Sequence, residues 1–247
     1  MTQLPAILVT GGSRGIGAAI CRLLASHGYP VVVNYANRAD AADAVVSEIK
    51  AAGGRATAIR GDISHPARVK RVFADAEAAL GPIGGLVNNA GTTGLHARVE
   101  DQTQAALEAL FAINVFGTIY CAQEAVRRMS TAHGGQGGAI VNISSVAARL
   151  GGLSGLVPYA ATKGAVESFT TGLANEVARE GIRVNAVAPG MTATDMATEE
   201  MRQAASRGGI PMGRIGEAEE IAQAVLWLLS PAASYVTGTV VTVSGGR

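Results

Sequence analysis

The sequence is poor in charged and aromatic residues. Charged residues make up 16% and aromatic residues 4% of the 247 residues, and the formal net charge is +1. Because neither charge forms a block, we expect no nucleic-acid partner and no membrane-binding face. The two cysteines, Cys21 and Cys121, lie in separate apolar segments. Two isolated cysteines provide neither a disulfide framework nor a zinc site, so no metal is expected.

The usual signals of export and membrane insertion are also lacking. Residues 1–5 contain no basic segment followed by an apolar stretch of signal-peptide length. No unbroken apolar run approaches the roughly 18 residues that span a bilayer. We therefore expect a cytoplasmic protein with no membrane partner.

Glycine, in contrast, is abundant, with 32 residues, and hydrophobic residues account for 48% of the chain. Short apolar runs alternate with segments of helical periodicity at the spacing of βα units. Seven strands are predicted, at residues 6–10, 31–35, 56–60, 85–87, 139–143, 182–187 and 239–243. This alternation predicts the α/β class, as a single Rossmann-type doubly wound domain over residues 1–247. We expect a seven-stranded parallel sheet with helices on both faces.

A glycine-rich turn joins the first predicted strand to the first predicted helix. Gly11, Gly15 and Gly17 follow the spacing Gly-x-x-x-Gly-x-Gly. Glycines let the backbone approach a pyrophosphate closely, and the amides and dipole of a helix N-terminus attract its negative charge. The turn therefore indicates a dinucleotide-binding site, although its spacing differs from the commoner Gly-x-Gly-x-x-Gly.

The end of the second strand bears on which dinucleotide is bound. An NAD-selective site usually places an acidic residue there for the ribose hydroxyls. Residues 34–38 contain none, and the first acid, Asp40, is expected to begin the next helix. Arg14 and Arg38 instead offer guanidinium groups that suit a 2′-phosphate. The sequence favours NADP(H) over NAD(H), unless both arginines are simply solvated.

Polar or turn-forming residues follow the next four predicted strands. They are Asp62, Asn88, Ser145 and Pro189. Asp62 either caps a turn or accepts a hydrogen bond from an adenine amino group. Because the carboxyl ends of parallel strands meet at one edge of the sheet, we expect these residues to line one composite site.

A tyrosine and a lysine one helical turn apart are candidates for acid–base chemistry. Tyr159 and Lys163 are four positions apart, on one face of a helix predicted to end near Arg179. A nearby ammonium favours the phenolate, so Lys163 is expected to lower the pKa of Tyr159. Asn114 stands inside another predicted helix, residues 104–129, where asparagine needs a functional reason or a local hydrogen bond.

These motifs, in this order, closely resemble those of the short-chain dehydrogenase/reductase family over essentially the whole chain. The matching segments are residues 10–17, 88–91, 159–163 and 189–194. The chain looks most like the branch of 3-oxoacyl-carrier-protein reductases and glucose-dehydrogenase-like enzymes. The resemblance implies cofactor contacts from Gly11, Ser13, Arg14, Gly15, Ile16, Gly17, Asn37, Arg38, Asp62, Ile63, Asn89, Ala90, Gly91, Tyr159, Lys163, Pro189, Gly190, Thr192 and Thr194. Thr194 would hold the nicotinamide carboxamide.

The resemblance also implies a catalytic tetrad of Asn114, Ser145, Tyr159 and Lys163. Tyr159 would be the general acid in carbonyl reduction and the base in alcohol oxidation, while the nicotinamide exchanges hydride with the substrate. Ser145, rather than its neighbour Ser144, would hold the substrate oxygen. Lys163 would bind the nicotinamide ribose and, with the nicotinamide cation, lower the pKa of Tyr159. Asn114 would anchor a water that links Lys163 to solvent.

The expected activity is therefore an NADP(H)-dependent interconversion of a small-molecule carbonyl and a secondary alcohol. One alternative is a regulatory protein that binds NADP(H) without turnover, but such proteins usually lose the tyrosine or the lysine. Another is a scaffolding Rossmann protein with no cofactor affinity. The complete tetrad favours the enzyme.

Substrate and assembly are left open by the sequence. Apolar residues near the site form either a substrate wall or a surface for a lid or a second subunit; they are Leu150, Leu153, Leu156 and Val157. Candidate contacts for an acyl-carrier protein are Arg127, Arg128 and Arg149. His96 is a candidate for the pocket edge, and residues 191–214 are interpreted as a lid. By resemblance, we expect a homotetramer or homodimer.

Overall fold

The computed structural model describes residues 4–194 and 209–247. Its strands are β1 Ala6–Val9, β2 Val31–Tyr35, β3 Ala56–Arg60, β4 Ile83–Asn88, β5 Gly138–Ile143, β6 Ile182–Pro189, β7 Thr192–Ala193, β8 Gly216–Glu217 and β9 Val240–Val243. Seven of them form one parallel sheet in the order β3-β2-β1-β4-β5-β6-β9. The predicted α/β class and seven-stranded parallel sheet are confirmed. The strand order reverses between β1 and β4, which is where doubly wound sheets bind ligands.

Eight α-helices accompany the strands within the described residues. They are α1 Gly15–Ser26, α2 Ala39–Ala51, α3 Pro66–Leu80, α4 Gln104–Phe111, α5 Thr118–Met129, α6 Ala147–Leu150, α7 Val157–Val177 and α8 Ala218–Leu229. A π-helical segment, Ala112–Gly117, joins α4 to α5. Short 3₁₀ turns occur at Val99–Asp101, Thr131–His133, Ala178–Glu180 and Pro231–Ala233.

The central strands are buried because apolar side chains alternate onto two helix layers. On one face, Ile7 and Val9 of β1 pack with buried residues of α1, α2 and α8. On the other, Leu8 packs with buried residues of α3, α5 and α7. Leu8 lies in register between Val32 of β2 and Leu86 of β4. A parallel sheet covered on both faces explains why its strands read as unbroken apolar runs rather than as alternating ones.

The long helical stretch Gln104–Met129 has an unusual composition. Its 26 residues are long and apolar enough to cross a membrane, by length and composition only. The core helix of a folded domain passes the same test, and Cys121, Ala125 and Met129 of this stretch pack against the sheet. The expectation concerned unbroken apolar runs, and polar residues such as Glu108 and Asn114 interrupt this stretch, so that expectation holds.

Several local features differ from the sequence predictions. The helix predicted over residues 104–129 is interrupted by the π segment, and the helix containing Tyr159 ends at Val177 before a 3₁₀ turn. α6 was not predicted. The predicted lid, residues 191–214, lies partly outside the described residues, at 195–208. On either side of that gap, β7 pairs with β8 in a small parallel ladder, which ties the two flanks of this segment together.

Candidate active site

The glycine turn after β1 is packed tightly against the end of β4. Gly11 has a φ of +61°, and a Cβ atom there would lie 2.9 Å from the Ala90 Cα. The Thr10 hydroxyl oxygen accepts hydrogen bonds of 3.0 Å from the backbone N–H groups of Asn89 and Ala90. In return, the Asn89 side-chain amide donates to the carbonyls of Thr10 and Gly11, both at 3.0 Å. The expected cofactor residue Asn89 therefore also braces the turn.

Thr10 was not among the individual residues predicted for the site. Its hydroxyl links β1 to β4 because it donates to the Val87 carbonyl and accepts the two bonds described above. Gly17 shows why the turn requires glycine, since a Cβ there would lie 2.3 Å from the Gly11 carbonyl oxygen. The position of Thr10 at the start of the glycine motif was the available signal.

The N-terminus of α1 has the donors that a pyrophosphate requires. Arg14 precedes the helix in an extended conformation, and no side chain caps the helix there. The first turn contains no acidic residue, so the helix dipole is not opposed at this end. A Cβ at Gly15 would lie 3.3 Å from the Thr194 Cγ2 atom, so the segment after β6 reaches the glycine turn. Ser13 is half-buried beside this turn, and Ile16 packs against the core.

The residues predicted at the ribose end are exposed. Asn37 and Arg38 follow β2, and Arg14 is exposed as well. The Arg38 guanidinium donates to both carboxylate oxygens of Asp40, at 3.2 and 3.1 Å. Hydrogen bonding from Arg38 lowers the pKa of Asp40. Asp40 lies in the first turn of α2, as expected.

Asp62 caps a turn, which is one of its two predicted roles. Its Oδ1 atom accepts from the Ser64 backbone N–H at 3.0 Å and from the Ser64 hydroxyl at 2.7 Å. Partial burial raises the pKa of Asp62, but the Ser64 bonds and the nearby charges of His65 and Arg68 together outweigh it, and the net shift is downward. Ile63 is buried, and its Cδ1 atom would lie 2.6 Å from a Cβ at Gly117. Any cofactor contact of Ile63 must therefore come mainly from its backbone.

Lys163 is a buried cation within the candidate catalytic group. Its Nζ atom donates to the Ile143 carbonyl at 2.7 Å and lies 5.8 Å from the centroid of the Tyr159 ring. Burial lowers the pKa of Lys163 from 10.5 to about 8. A Cβ at Gly91 would lie 3.3 Å from the Asn114 Oδ1 atom and 3.7 Å from the Lys163 Nζ atom. These three residues therefore form one cluster.

Asn114 occupies the π-helical segment and is buried. Its side chain accepts from the Thr92 backbone N–H and donates to the Thr92 carbonyl, both at 2.9 Å. The same amide donates to the Thr162 hydroxyl at 3.0 Å. The backbone carbonyl of Asn114 accepts from the Thr118 hydroxyl at 2.9 Å. Side-chain hydrogen bonds to Thr92 and Thr162, which are distant in the sequence, thus account for an asparagine in this helix without a local side-chain bond. Its role with a water stays a prediction.

The two neighbouring serines face different partners. The Ser144 hydroxyl is buried and donates to Glu167 at 2.9 Å. The Ser145 hydroxyl accepts from the Ala147 backbone N–H at 3.1 Å, and Ser145 also acts to lower the pKa of the Tyr159 phenol. Of the two serines, Ser145 is the one that acts on the Tyr159 phenol. Its predicted role of holding the substrate oxygen stays a prediction.

The pKa of Tyr159 is shifted in the direction opposite to the one expected from Lys163. Burial raises this pKa, and the hydrogen bond with Ser145 only partly offsets the increase. Lys163 directs its ammonium to the Ile143 carbonyl and is itself deeply buried. In the protein alone, therefore, desolvation of the phenol sets the direction of the shift, and the lowering expected from Lys163 is not seen. The contribution of a nicotinamide cation stays a prediction.

The segment after β6 is anchored to the C-terminal end of the chain. Pro189 pairs with Val243 of β9, and the Gly190 N–H donates to the Val243 carbonyl at 2.9 Å. A Cβ at Gly190 would lie 2.8 Å from the Ser244 Cα, so this approach requires glycine. The Thr192 hydroxyl donates to the Gly190 carbonyl at 3.1 Å. These contacts direct the segment toward the glycine turn.

The arginines considered for a carrier protein are engaged elsewhere. Arg127 and Arg128 both form ion pairs with Glu124 of α5. They lie in the last turn of α5, which leads to the amino end of β5 and so away from the site. Arg149 donates to the Thr242 hydroxyl at 2.6 Å. Arg149 alone of the three lies near the carboxyl edge of the sheet.

A doubly wound parallel sheet with a glycine turn at its switch point and a Tyr–Lys pair beside it defines a Rossmann-type oxidoreductase. A family model described as enoyl-(acyl carrier protein) reductase matches residues 11–247. An uncharacterized oxidoreductase of Escherichia coli K12 is 48% identical, with 97% of this chain and 98% of that protein covered. A 3-oxoacyl-[acyl-carrier-protein] reductase of Synechocystis is 40% identical, with coverage of 100% and 98%.

Solved structures agree with these relatives. A short-chain dehydrogenase of Burkholderia cenocepacia in complex with NADP is 36% identical, covers 98% of this chain and 97% of its own, and has a TM-score of 0.90. The chain belongs to the short-chain dehydrogenase/reductase family of oxidoreductases. The resemblance noted from the sequence motifs is confirmed.

Proposed function

We propose that this protein is an NADP(H)-dependent oxidoreductase that interconverts a carbonyl and a secondary alcohol, with Tyr159 as the general acid–base. The observation that carries the proposal is the buried Lys163 ammonium, whose Nζ atom lies 5.8 Å from the centroid of the Tyr159 ring, with Ser145 acting on the pKa of the same phenol. Gly91 brings the end of β4 against this cluster, and the glycine turn packs on the same strand end. One edge of the sheet therefore presents both phosphate donors and an acid–base group.

The residues at that edge fit a nicotinamide dinucleotide. The uncapped N-terminus of α1 would hold the pyrophosphate, and Arg14 and Arg38 would hold a 2′-phosphate. When bound, NADPH supplies the hydride for carbonyl reduction. The NADP complex of the relative from Burkholderia cenocepacia supports this choice of cofactor.

The acid–base steps follow from the geometry of the protein groups. The Ser145 hydroxyl would hold the carbonyl oxygen, and Tyr159 would donate its phenolic proton to that oxygen as hydride arrives. The raised pKa of Tyr159 keeps the phenol protonated at neutral pH, as an acid requires. The Lys163 ammonium would stabilise the resulting phenolate, and Asn114 would position the water that resupplies the proton. In alcohol oxidation, the Tyr159 phenolate would take the proton back.

A spectrophotometric panel with NADPH and NADH in parallel tests the proposal. The panel contains an acetoacetyl thioester, sugars, quinones, steroids and simple aldehydes. We expect NADPH oxidation with at least one carbonyl class, at a higher rate than with NADH. Binding of NADPH with no oxidation across the panel would favour the regulatory alternative, and no binding of either cofactor would favour a scaffold. Faster turnover with NADH would reverse the cofactor preference.

Assembly into a homotetramer or homodimer belongs to the same proposal. A groove of about 350 Å³ lies between the long apolar helix and α7, lined by Val115, Thr118, Ile119, Ala165, Val166, Ser168 and Phe169. The neighbouring Phe116 is 49% exposed. A second copy would cover these apolar side chains. Light scattering on Ile119→Arg should then give a smaller species than the unmodified protein.

The proposal also includes a cytoplasmic location, a small-molecule substrate and a single-domain organisation. The net charge of +1 is consistent with the expected absence of a nucleic-acid or membrane partner. A single domain over residues 1–247 is consistent with a family match over residues 11–247.

A further inference from the structure

Two loops that adjoin candidate catalytic residues contact each other. One follows β4 and the other lies between Ser145 and Tyr159. The His96 Nε2 atom lies 2.8 Å from the Ser154 carbonyl oxygen, and the Ala97 N–H donates to the Gly155 carbonyl at 3.1 Å. We call these two hydrogen bonds, between His96-Ala97 and Ser154-Gly155, the loop latch. A carbonyl oxygen can only accept, so Nε2 of His96 must carry the proton in this contact.

Gly155 makes room for the imidazole. Its φ of +81° is a conformation that favours glycine, and a Cβ there would lie 2.5 Å from the His96 Cδ2 atom. Gly151 in the same loop has almost the same φ, +79°, yet a Cβ there would meet nothing within 4 Å. Backbone strain alone therefore does not distinguish the two glycines. Contact with His96 does.

Both latched loops are attached to candidate catalytic residues. The loop after β4 is fixed at its start by the two hydrogen bonds between Thr92 and Asn114. Further along, the Gln102 side chain donates to the carbonyls of Leu95 and Ala97, at 3.1 and 2.9 Å. The second loop is bounded by Ser145 and Tyr159. The latch therefore joins the segment that Thr92 ties to Asn114 to the segment between Ser145 and Tyr159.

Exposed apolar residues flank the latch on both loops. Leu95 precedes His96 and is 43% exposed, and Leu153 precedes Ser154 and is 47% exposed. We propose that His96 is a positioning residue that holds these loops together, so that Leu95 and Leu153 form one apolar rim for the substrate. This inference rests on the proposed carbonyl reductase function. It further assigns the substrate an apolar group next to its carbonyl.

Kinetics of His96 variants test the proposed role. With ethyl 3-oxooctanoate as the probe and saturating NADPH, His96→Ala should raise KM about tenfold and change kcat less than about twofold, because it removes one hydrogen bond outside the reacting groups. The effect should be smaller with ethyl acetoacetate, which has less apolar surface. His96→Gln keeps an N–H donor and should restore most of the affinity. A fall in kcat with KM unchanged would overturn the assignment.

Two glycine variants separate the latch from general loop strain. Gly155→Ala should reproduce the KM effect of His96→Ala, because its Cβ displaces the imidazole. Gly151→Ala introduces similar backbone strain without that contact, so its KM should stay near that of the unmodified protein. Equal effects of the two alanines on KM would contradict the proposal.

Hydrogen exchange gives a readout that does not depend on activity. In the unmodified protein, the Ala97 amide should exchange slowly, and His96→Ala and Gly155→Ala should accelerate it about tenfold or more while Gly151→Ala should not. Unchanged exchange in His96→Ala would overturn the latch. If the exchange responds as expected but the unmodified protein reduces no keto ester, the assigned apolar substrate is wrong. If in addition it reduces no carbonyl in the wider panel, the proposed function fails.

Discussion

The two ends of the candidate cofactor site are built in different ways. At the nicotinamide end, Lys163 and Asn114 are buried and bond to residues far along the chain, such as Ile143 and Thr162. At the ribose end, the side chains of Arg38 and Asp40 are 58% and 71% exposed and bond to each other, two positions apart. Buried networks resist rearrangement, whereas exposed local pairs contribute little and are easily replaced. We therefore expect the chemistry to be sensitive to substitution and the cofactor preference to be adjustable.

The largest expected effect is at Tyr159. Tyr159→Phe keeps the ring and its packing but removes the proton that the carbonyl oxygen would receive. Positioned acid catalysis contributes about 10²–10⁴-fold, so kcat should fall by that factor. The dissociation constant of NADPH, measured by fluorescence titration, should change little. A variant with a near wild-type rate would refute the acid–base assignment. It would also contradict the expectation that the nicotinamide end is the part most sensitive to substitution.

The burial of Lys163 at the nicotinamide end should make the free energy of unfolding depend on pH. Its pKa is lowered by burial from 10.5 to about 8, so between these values the unfolded chain binds more protons than the folded protein. Stability should therefore rise with pH across this window, and below about pH 8 the protein carries the cost of a buried ammonium. In Lys163→Met, that rise should be absent.

A comparison of the unmodified protein with Lys163→Met cancels the contributions of other titrating groups that the two proteins share. From pH 8 to 10.5, the free energy of unfolding of the unmodified protein should gain roughly 3 kcal/mol relative to Lys163→Met. Urea unfolding at several pH values measures this difference, and any constant cost from the unpaired Ile143 carbonyl cancels in the slope. Parallel curves would show that Lys163 titrates normally and is not desolvated.

The neighbouring serines provide a matched pair with a smaller effect. Ser145→Ala removes the hydroxyl beside Tyr159 and should lower kcat/KM about 10–100-fold, with little change in stability. Ser144→Ala should instead leave Glu167 without its buried donor and lower stability by about 1 kcal/mol. Its kcat/KM should fall less than about threefold. Steady-state kinetics and thermal melts on both variants measure these effects. A larger loss of kcat/KM in Ser144→Ala than in Ser145→Ala would assign the catalytic role to Ser144 instead.

The same contrast explains what the sequence could predict. The strands at residues 31–35 and 56–60 were predicted at their observed bounds. The first is almost fully buried and therefore begins as an apolar run. The second is a partly buried edge strand, and the glycines Gly54 and Gly61 on either side mark its limits. The Tyr159–Lys163 spacing and the glycine turn are also local patterns. Features that depend on a few consecutive residues can therefore be predicted from the sequence alone.

Other features depend on contacts between distant segments and could not be predicted. The π segment surrounds Asn114, whose side chain bonds to Thr92 and Thr162, 22 and 48 positions away. The direction of the Tyr159 pKa shift depends on burial, which residue spacing does not reveal. The loop latch joins residues 58 positions apart. These three features all depend on how residues that are distant in the sequence pack together.

The smallest effect is expected at the ribose end, and it tests whether that end only adjusts the cofactor preference. Arg38→Ala should weaken NADPH binding about fivefold to tenfold and leave NADH binding within about twofold, because an exposed charge pair with a 2′-phosphate contributes about 1 kcal/mol. Asp40→Asn removes the carboxylate that competes with this phosphate and should tighten NADPH binding about twofold. Arg71→Ala is the control, since Arg71 is an exposed arginine that also pairs with a local acid, Asp75 of α3. Equal losses of NADPH and NADH affinity in Arg38→Ala would mean that Arg38 supports the fold of the turn rather than reading the phosphate. In that case the ribose end would be as structurally constrained as the nicotinamide end.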